Sequence, residues 1–88
     1  MLQFISDPEY EIVRDGGFTY VTGKVRNMGD KPIGYVQIKF IVYDKEGNQL
    51  GTAADTITNF QPGASWKFEA YIFESDVGSV NFLGFDGW

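Results

Sequence analysis

Polar and hydrophobic residues alternate along several short segments of the chain, most regularly in residues 35–44. One face of this segment carries Val36, Ile38, Phe40 and Val42, and the other carries tyrosines and polar side chains. β-Branched and aromatic residues favour strands, and a period of two places one face against a core. The pattern therefore predicts a central β-strand around which the other elements are arranged.

The remaining segments show the same period without any convincing helical one, and Gly or Pro interrupts every stretch long enough for a helix. Further strands are predicted at residues 10–14, 18–27, 49–59, 66–73 and 80–85. Residues 2–5 are either a linker or an additional edge strand. Six to seven short strands at this spacing predict an all-β, antiparallel, immunoglobulin-like β-sandwich. In residues 66–73, the alternation assigns to the core Trp66, Phe68, Ala70 and Ile72.

With 88 residues, the chain has room for one domain, which we assign to residues 1–88. Its content of 43% hydrophobic and 17% aromatic residues is enough to form a core and argues against disorder. Within the second strand, Gly23 falls among inward residues, where it either allows a close approach by a neighbour or marks a bulge.

Charge and composition exclude several function classes. Seven Lys and Arg against twelve Asp and Glu give a net charge of -5, which disfavours binding to nucleic acids and to anionic lipid surfaces. The absence of His and Cys removes the usual general base, the thiol nucleophile and the commonest transition-metal ligands. No stretch is apolar enough to insert directly into a membrane. We therefore predict a protein that is not an enzyme.

Three segments resemble a known family. Residues 23–33 read GKVRNMGDKPI, residues 40–44 read FIVYD, and residues 60–63 read FQPG. In this combination they resemble the FxLYD domain, and the resemblance extends over about residues 10–73. The family's naming motif has Leu where this chain has Val42, which is a substitution of similar volume on the buried face.

The resemblance implies an immunoglobulin-like or fibronectin-III-like β-sandwich of prokaryotic proteins, which are often exported proteins or lipoproteins. It supplies no catalytic residues. On this basis we expect a structural, adhesion or protein-interaction module, located outside the cytoplasm or in the cell envelope as part of a full-length protein.

The turn after the central strand is the first candidate site. Asp44 is expected to accept hydrogen bonds from backbone N–H groups in the turn that leads to Gly47. Alternatively, Asp44, Glu46 and Asn48 could supply oxygen ligands to Ca²⁺, although the spacing of an EF-hand is absent. Acidic residues of other loops could converge with them at one end of the sandwich; these are Asp15, Asp30, Asp76 and Asp86.

The second candidate site is an aromatic sheet face formed by Tyr20, Tyr35, Tyr43 and Tyr71. Phe73 and Trp88 would extend it. Exposed aromatic surfaces bind protein partners or stack on sugar rings, so we expect a protein partner and keep carbohydrate as the alternative. The first and last strands are edges without strong protection, through which weak self-association is also expected.

Overall fold

The described chain consists of β-strands joined by turns and loops, and the first strand begins at Leu2. A computed structural model describes residues 1–87, and these contain seven β-strands. The strands are β1 Leu2–Phe4, β2 Glu11–Asp15, β3 Phe18–Asn27, β4 Ile33–Asp44, β5 Gln49–Phe60, β6 Ser65–Ile72 and β7 Val77–Gly87. They form two antiparallel sheets, which confirms the predicted all-β sandwich. No helix within residues 1–87 is long and apolar enough to cross a membrane.

The first sheet is arranged around β3. Strand β6 pairs with residues 19–26 of β3 along one edge. The other edge is shared, because β1 pairs with residues 25–27 and β2 pairs with residues 18–22. Of the two possibilities for residues 2–5, the structure therefore selects the edge strand.

The segment between β1 and β2 passes beside Gly23 of β3 without pairing with it. A Cβ atom at this position would overlap the carbonyl oxygen of Glu9 and would lie 2.9 Å from the Phe68 ring. Ser6 supports the detour, because its hydroxyl accepts a hydrogen bond from the Lys24 backbone N–H and donates one to the Glu9 carbonyl, both at 3.0 Å. Gly23 is thus explained by a close approach.

The second sheet has the order β5-β4-β7, so β4 is its central strand as predicted. The register of β4 shifts against β7 near Phe40 and near Asp44, and against β5 near Tyr43. These irregularities leave the apolar face of β4 buried. The side chains of β4 that were predicted to be inward are all fully buried.

The core lies between the sheets and is built largely of aromatic rings. Phe40 packs against the rings of Tyr10 at 5.0 Å, Phe68 at 5.7 Å and Phe82 at 5.9 Å between centroids. The predicted core residues of β6 are buried, which confirms that assignment. The buried hydrophobic residues are Val21, Val25, Val36, Ile38, Phe40, Val42, Ala53, Phe60, Trp66, Phe68, Ala70, Ile72 and Val77.

Side-chain hydrogen bonds connect the two sheets along both sides of the sandwich. On the first side, the Phe82 backbone N–H donates to the Tyr10 hydroxyl at 3.4 Å, and the Arg14 guanidinium donates to the Val77 carbonyl at 2.9 Å. On the second side, the Glu69 backbone N–H of β6 donates to a carboxylate oxygen of Asp55, on β5, at 2.8 Å. Backbone groups that would otherwise be unpaired at the strand edges are satisfied in this way.

Candidate functional site

The four tyrosines predicted to form one face are divided between the two sheets. Tyr20 and Tyr71 are directly opposite each other in the β3 and β6 pair of the first sheet. Tyr35 and Tyr43 belong to β4 in the second sheet and point away from its buried face. Since the outer faces of the two sheets point in opposite directions, the predicted single face must be corrected to two. Trp88 lies outside the described residues.

The outer face of the first sheet carries a cluster that we call the aromatic patch, consisting of Val13, Phe18, Tyr20 and Tyr71. Phe18 is 63% exposed and Tyr71 is 39% exposed. The ring of Tyr71 contacts that of Phe18 at 6.1 Å and that of Tyr20 at 5.3 Å. Val13 is opposite Tyr20 on the neighbouring strand. Phe73 is 90% exposed and follows β6 directly, so apolar surface continues beyond the patch.

Phe18 was not recognised as a site residue from the sequence, although the signal was present. It follows the glycine turn of the β2 and β3 hairpin, where Gly16 and Gly17 have φ values of 57° and 85°. The alternation that puts Tyr20 on the outer face of β3 also puts Phe18 there, two residues earlier. A large aromatic residue at an outward position of a predicted strand is the sequence signal that marks Phe18.

The rings of the aromatic patch are not coplanar. The plane of Tyr71 is inclined by 81° to that of Phe18 and by 46° to that of Tyr20. The edge-to-face contact of Tyr71 with Phe18 is a favourable arrangement of aromatic rings, and the contact with Tyr20 is tilted. The three rings therefore present a stepped surface instead of one flat platform.

An acidic row borders the aromatic patch. Thr22 is opposite Glu11 on one side and Glu69 on the other. The Tyr71 hydroxyl donates a hydrogen bond to a carboxylate oxygen of Glu69 at 3.3 Å. The negative charge of Glu69 raises the pKa of Tyr71, with a further contribution from desolvation. The Tyr71 hydroxyl therefore acts as a hydrogen-bond donor towards Glu69 and ties the aromatic patch to the acidic row.

Beyond the acidic row lies a set of cations that we call the basic patch, consisting of Lys24, Arg26 and Lys67. Lys24 and Lys67 are directly opposite each other, and Arg26 is two residues further along β3 on the same face. Within residues 1–87, an ion pair joins Lys39 to Asp86 at 2.6 Å. This pair lies on the second sheet, away from the basic patch. The basic patch has no acidic partner within ion-pair distance in the described part of the chain.

The outer face of the second sheet is different in character. Tyr35 and Tyr43 are half-buried there, and the adjacent strand β5 presents small residues. These outward residues of β5 are Thr52, Ala54, Thr56 and Thr58. The half-buried tyrosines of this face differ in exposure from Phe18 and Tyr71 of the aromatic patch, which are both exposed.

The turn after β4 is organised by Asp44, as predicted. One carboxylate oxygen accepts the backbone N–H groups of Glu46 at 2.9 Å and Asn48 at 2.8 Å, and the other accepts the Asn48 side-chain amide at 3.1 Å. Gly47 has a φ of 88°, a conformation that glycine adopts readily. The hydrogen bonds from Asn48 are the main cause of a lowered pKa of Asp44.

The same turn shares a shallow depression with a second loop. Asp44, Lys45, Glu46 and Asp76 line it, so one of the four loop acids named from the sequence does approach the turn. Both oxygens of Asp44 already accept hydrogen bonds from the turn itself. Residues 1–87 contain no group of three or more His, Cys, Asp or Glu side chains arranged to hold a metal ion. Calcium binding stays a prediction, without a geometric argument in its favour.

Comparison with known proteins provides one distant relative. Over 62 residues, the chain is 34% identical to an uncharacterized protein of Methanocaldococcus jannaschii. The matched segment covers 69% of this chain and 46% of that protein, so the chain spans about half the length of its relative. No family model and no solved structure matches the chain. The relative's description names no activity, and the site must be interpreted from its own geometry.

Proposed function

We propose that the domain is a non-catalytic protein-interaction module whose binding surface is the aromatic patch. The observation that supports this proposal most directly is the contact between the exposed rings of Phe18 and Tyr71 on the outer face of the first sheet. Exposed apolar clusters are uncommon on proteins that act alone, and aromatic residues contribute much of the affinity at protein interfaces. The rings are carried on paired β-strands and contact one another, and such preorganisation reduces the entropy lost on binding.

A non-catalytic role is supported by the chemistry of the chain. With no His and no Cys, proton transfer or nucleophilic attack would have to rely on carboxylates, hydroxyls or amines. Asp44, the carboxylate with a lowered pKa, is engaged by its own turn. Binding by burial of apolar surface requires none of these groups.

The resemblance to the FxLYD domain supports a place in the cell envelope. We propose that the domain belongs to this family and serves as an adhesion or interaction module of a longer exported protein. A carbohydrate is the alternative ligand of the same rings, and the inclination of the ring planes weighs against it. Weak self-association through strand edges also stays a proposal. Tyr10 and Arg14 oppose it at β7 by capping two of the backbone groups of that strand.

Site-specific photocrosslinking tests the proposal. A photoreactive phenylalanine analogue is placed at Phe18, and the matched control carries it at Thr52, which is exposed on the outer face of the second sheet. In cells that produce the full-length protein, we expect a discrete protein adduct from position 18 and none from position 52. Equal adducts from both positions, or none from position 18, would contradict the proposal.

A further inference from the structure

The basic patch is an unusual feature of this acidic chain. Its three members are drawn from only seven Lys and Arg residues, although the net charge is -5. Lys24 and Lys67 form a direct cross-strand pair of like charges. Like charges in this position destabilise an antiparallel sheet, because their Cβ atoms are only about 5 Å apart. A pairing of Lys with Glu at these positions would have been favourable instead.

Within the described residues, none of these cations has a carboxylate within ion-pair distance. Glu69 is nearest in sequence to Lys67 on the same face, and its carboxylate accepts the Tyr71 hydroxyl. Lys24 and Lys67 are both exposed, so their charges are available to an incoming molecule. The repulsion between Lys24 and Lys67 destabilises the free domain locally, and a bound anionic partner would reduce this repulsion.

The basic patch and the aromatic patch lie on the same outer face at a defined separation. Tyr20 and Lys24 are four residues apart on β3, and Tyr71 and Lys67 are four residues apart on β6. At about 3.3 Å per residue, the two rows are roughly 13 Å apart. An extended partner chain presents residues on one side at the same period, so two of its residues four positions apart would span both rows.

We propose that this face binds an extended acidic segment of a partner protein, with an apolar side chain on the aromatic patch and carboxylates on the basic patch. The inference rests on the proposed function and adds the chemistry of the partner. The basic patch is positively charged, so the half of the partner segment that lies on it should be acidic. The acidic row of Glu11 and Glu69 between the patches favours a protein segment over a uniform polyanion, whose charges would meet these glutamates.

The probe is a synthetic peptide with blocked ends that carries one tryptophan and, four and six positions later, two glutamates, with threonine and serine elsewhere. It is titrated into the isotope-labelled domain while amide NMR shifts are followed. We expect saturable shifts in residues 18–26 and 65–71. The same peptide with glutamine in place of glutamate should bind about 2- to 30-fold more weakly, which is the fold-change for two exposed ion pairs at about 0.2–1 kcal/mol each.

Paired variants identify the cations responsible. Replacing Lys24→Gln together with Lys67→Gln should reduce the difference between the glutamate and glutamine peptides to the part that Arg26 alone supplies. The matched control, Lys31→Gln together with Lys45→Gln, removes the same charge from exposed loops and should preserve that difference. A dispersed amide spectrum for each variant shows that it is folded.

Each alternative result has a defined meaning. If both peptides bind equally well at the aromatic patch, the inference fails while the proposed function stands. If polygalacturonate, or a peptide with serine in place of tryptophan, shifts the basic patch with the affinity of the original peptide, the ligand is a polyanion and the inference is overturned. If no peptide shifts this face, the inference fails, and the crosslinking at position 18 decides separately whether the proposed surface binds a protein.

Discussion

Asn27 donates a hydrogen bond from its side-chain nitrogen to the carbonyl oxygen of Phe60 at 3.0 Å, inside the sandwich. The same nitrogen donates to the Lys31 carbonyl at 3.1 Å, and the side-chain oxygen accepts the Gly29 backbone N–H at 3.0 Å. Asn27 is only 1% exposed. One amide group therefore joins the end of β3, the following loop and the end of β5.

Replacing Asn27 with alanine is expected to lower the free energy of unfolding by about 1–3 kcal/mol, because the buried Phe60 carbonyl loses its donor. Urea denaturation followed by tryptophan fluorescence measures the loss. The matched control is Asn81→Ala, at an exposed position of β7, which should cost about 0.5 kcal/mol or less. Similar losses for the two variants would show that the buried network does not stabilise the fold.

A second prediction tests which face of β4 is buried. Phe40 is fully buried among aromatic rings, so Phe40→Ala should cost about 3–5 kcal/mol. Ile41 is the next residue and points to the outer face, where it is half-buried, so Ile41→Ala should cost about 1 kcal/mol. Chemical denaturation of both variants gives the comparison. A larger loss for Ile41→Ala than for Phe40→Ala would mean that the opposite face of β4 is buried.

Much of the fold could be predicted because the alternation within one strand decides which residues face inward. It correctly placed Val36, Ile38 and Phe40 in the core, and it placed Tyr20 and Tyr35 on outer faces. It could not assign a strand to one sheet or the other, since that depends on pairing between distant segments. For this reason, the tyrosines were predicted to share a face that the structure divides.

The site required the same long-range information. The contact of Phe18 with Tyr71 and the opposition of Lys24 to Lys67 both depend on the register of β3 against β6. Asn27 ends a predicted strand, and its buried role depends on Phe60, which is distant in sequence. The Asp44 turn was predictable because all of its hydrogen bonds lie within five consecutive residues.

A third prediction concerns Gly23. A methyl group at this position would meet the Glu9 carbonyl and the buried Phe68 ring, neither of which can move freely. Gly23→Ala should therefore destabilise the domain by about 1–3 kcal/mol or more, as overpacking does. The amide spectrum should show the largest shifts in residues 5–10, where the chain must move away from β3. An unchanged unfolding midpoint would contradict the close approach.

The lowered pKa of Asp44 predicts a pH dependence. The unfolded carboxyl titrates near pH 3.9, and the folded one titrates lower because Asn48 donates hydrogen bonds to its charged form. The resulting stability is fully present above about pH 4 and is lost as the pH falls through the folded pKa. Thermal unfolding from about pH 6 to pH 2 should show a steeper acid loss in the wild type than in Asp44→Asn. Parallel curves would rule out this contribution.

The last prediction tests the like-charge pair of Lys24 and Lys67. Lys24→Glu places opposite charges across β3 and β6, and it should raise the free energy of unfolding by about 0.2–1 kcal/mol. The gain should appear although the variant makes an already acidic domain more negative. Lys31→Glu, in an exposed loop, changes the net charge equally and should give no gain. Measured in low salt, the difference between the two variants isolates the cross-strand repulsion, and added salt should reduce it by screening. Equal effects of the two substitutions would mean that Lys24 and Lys67 do not repel each other measurably, and the free domain would then have no local strain for an acidic partner to relieve.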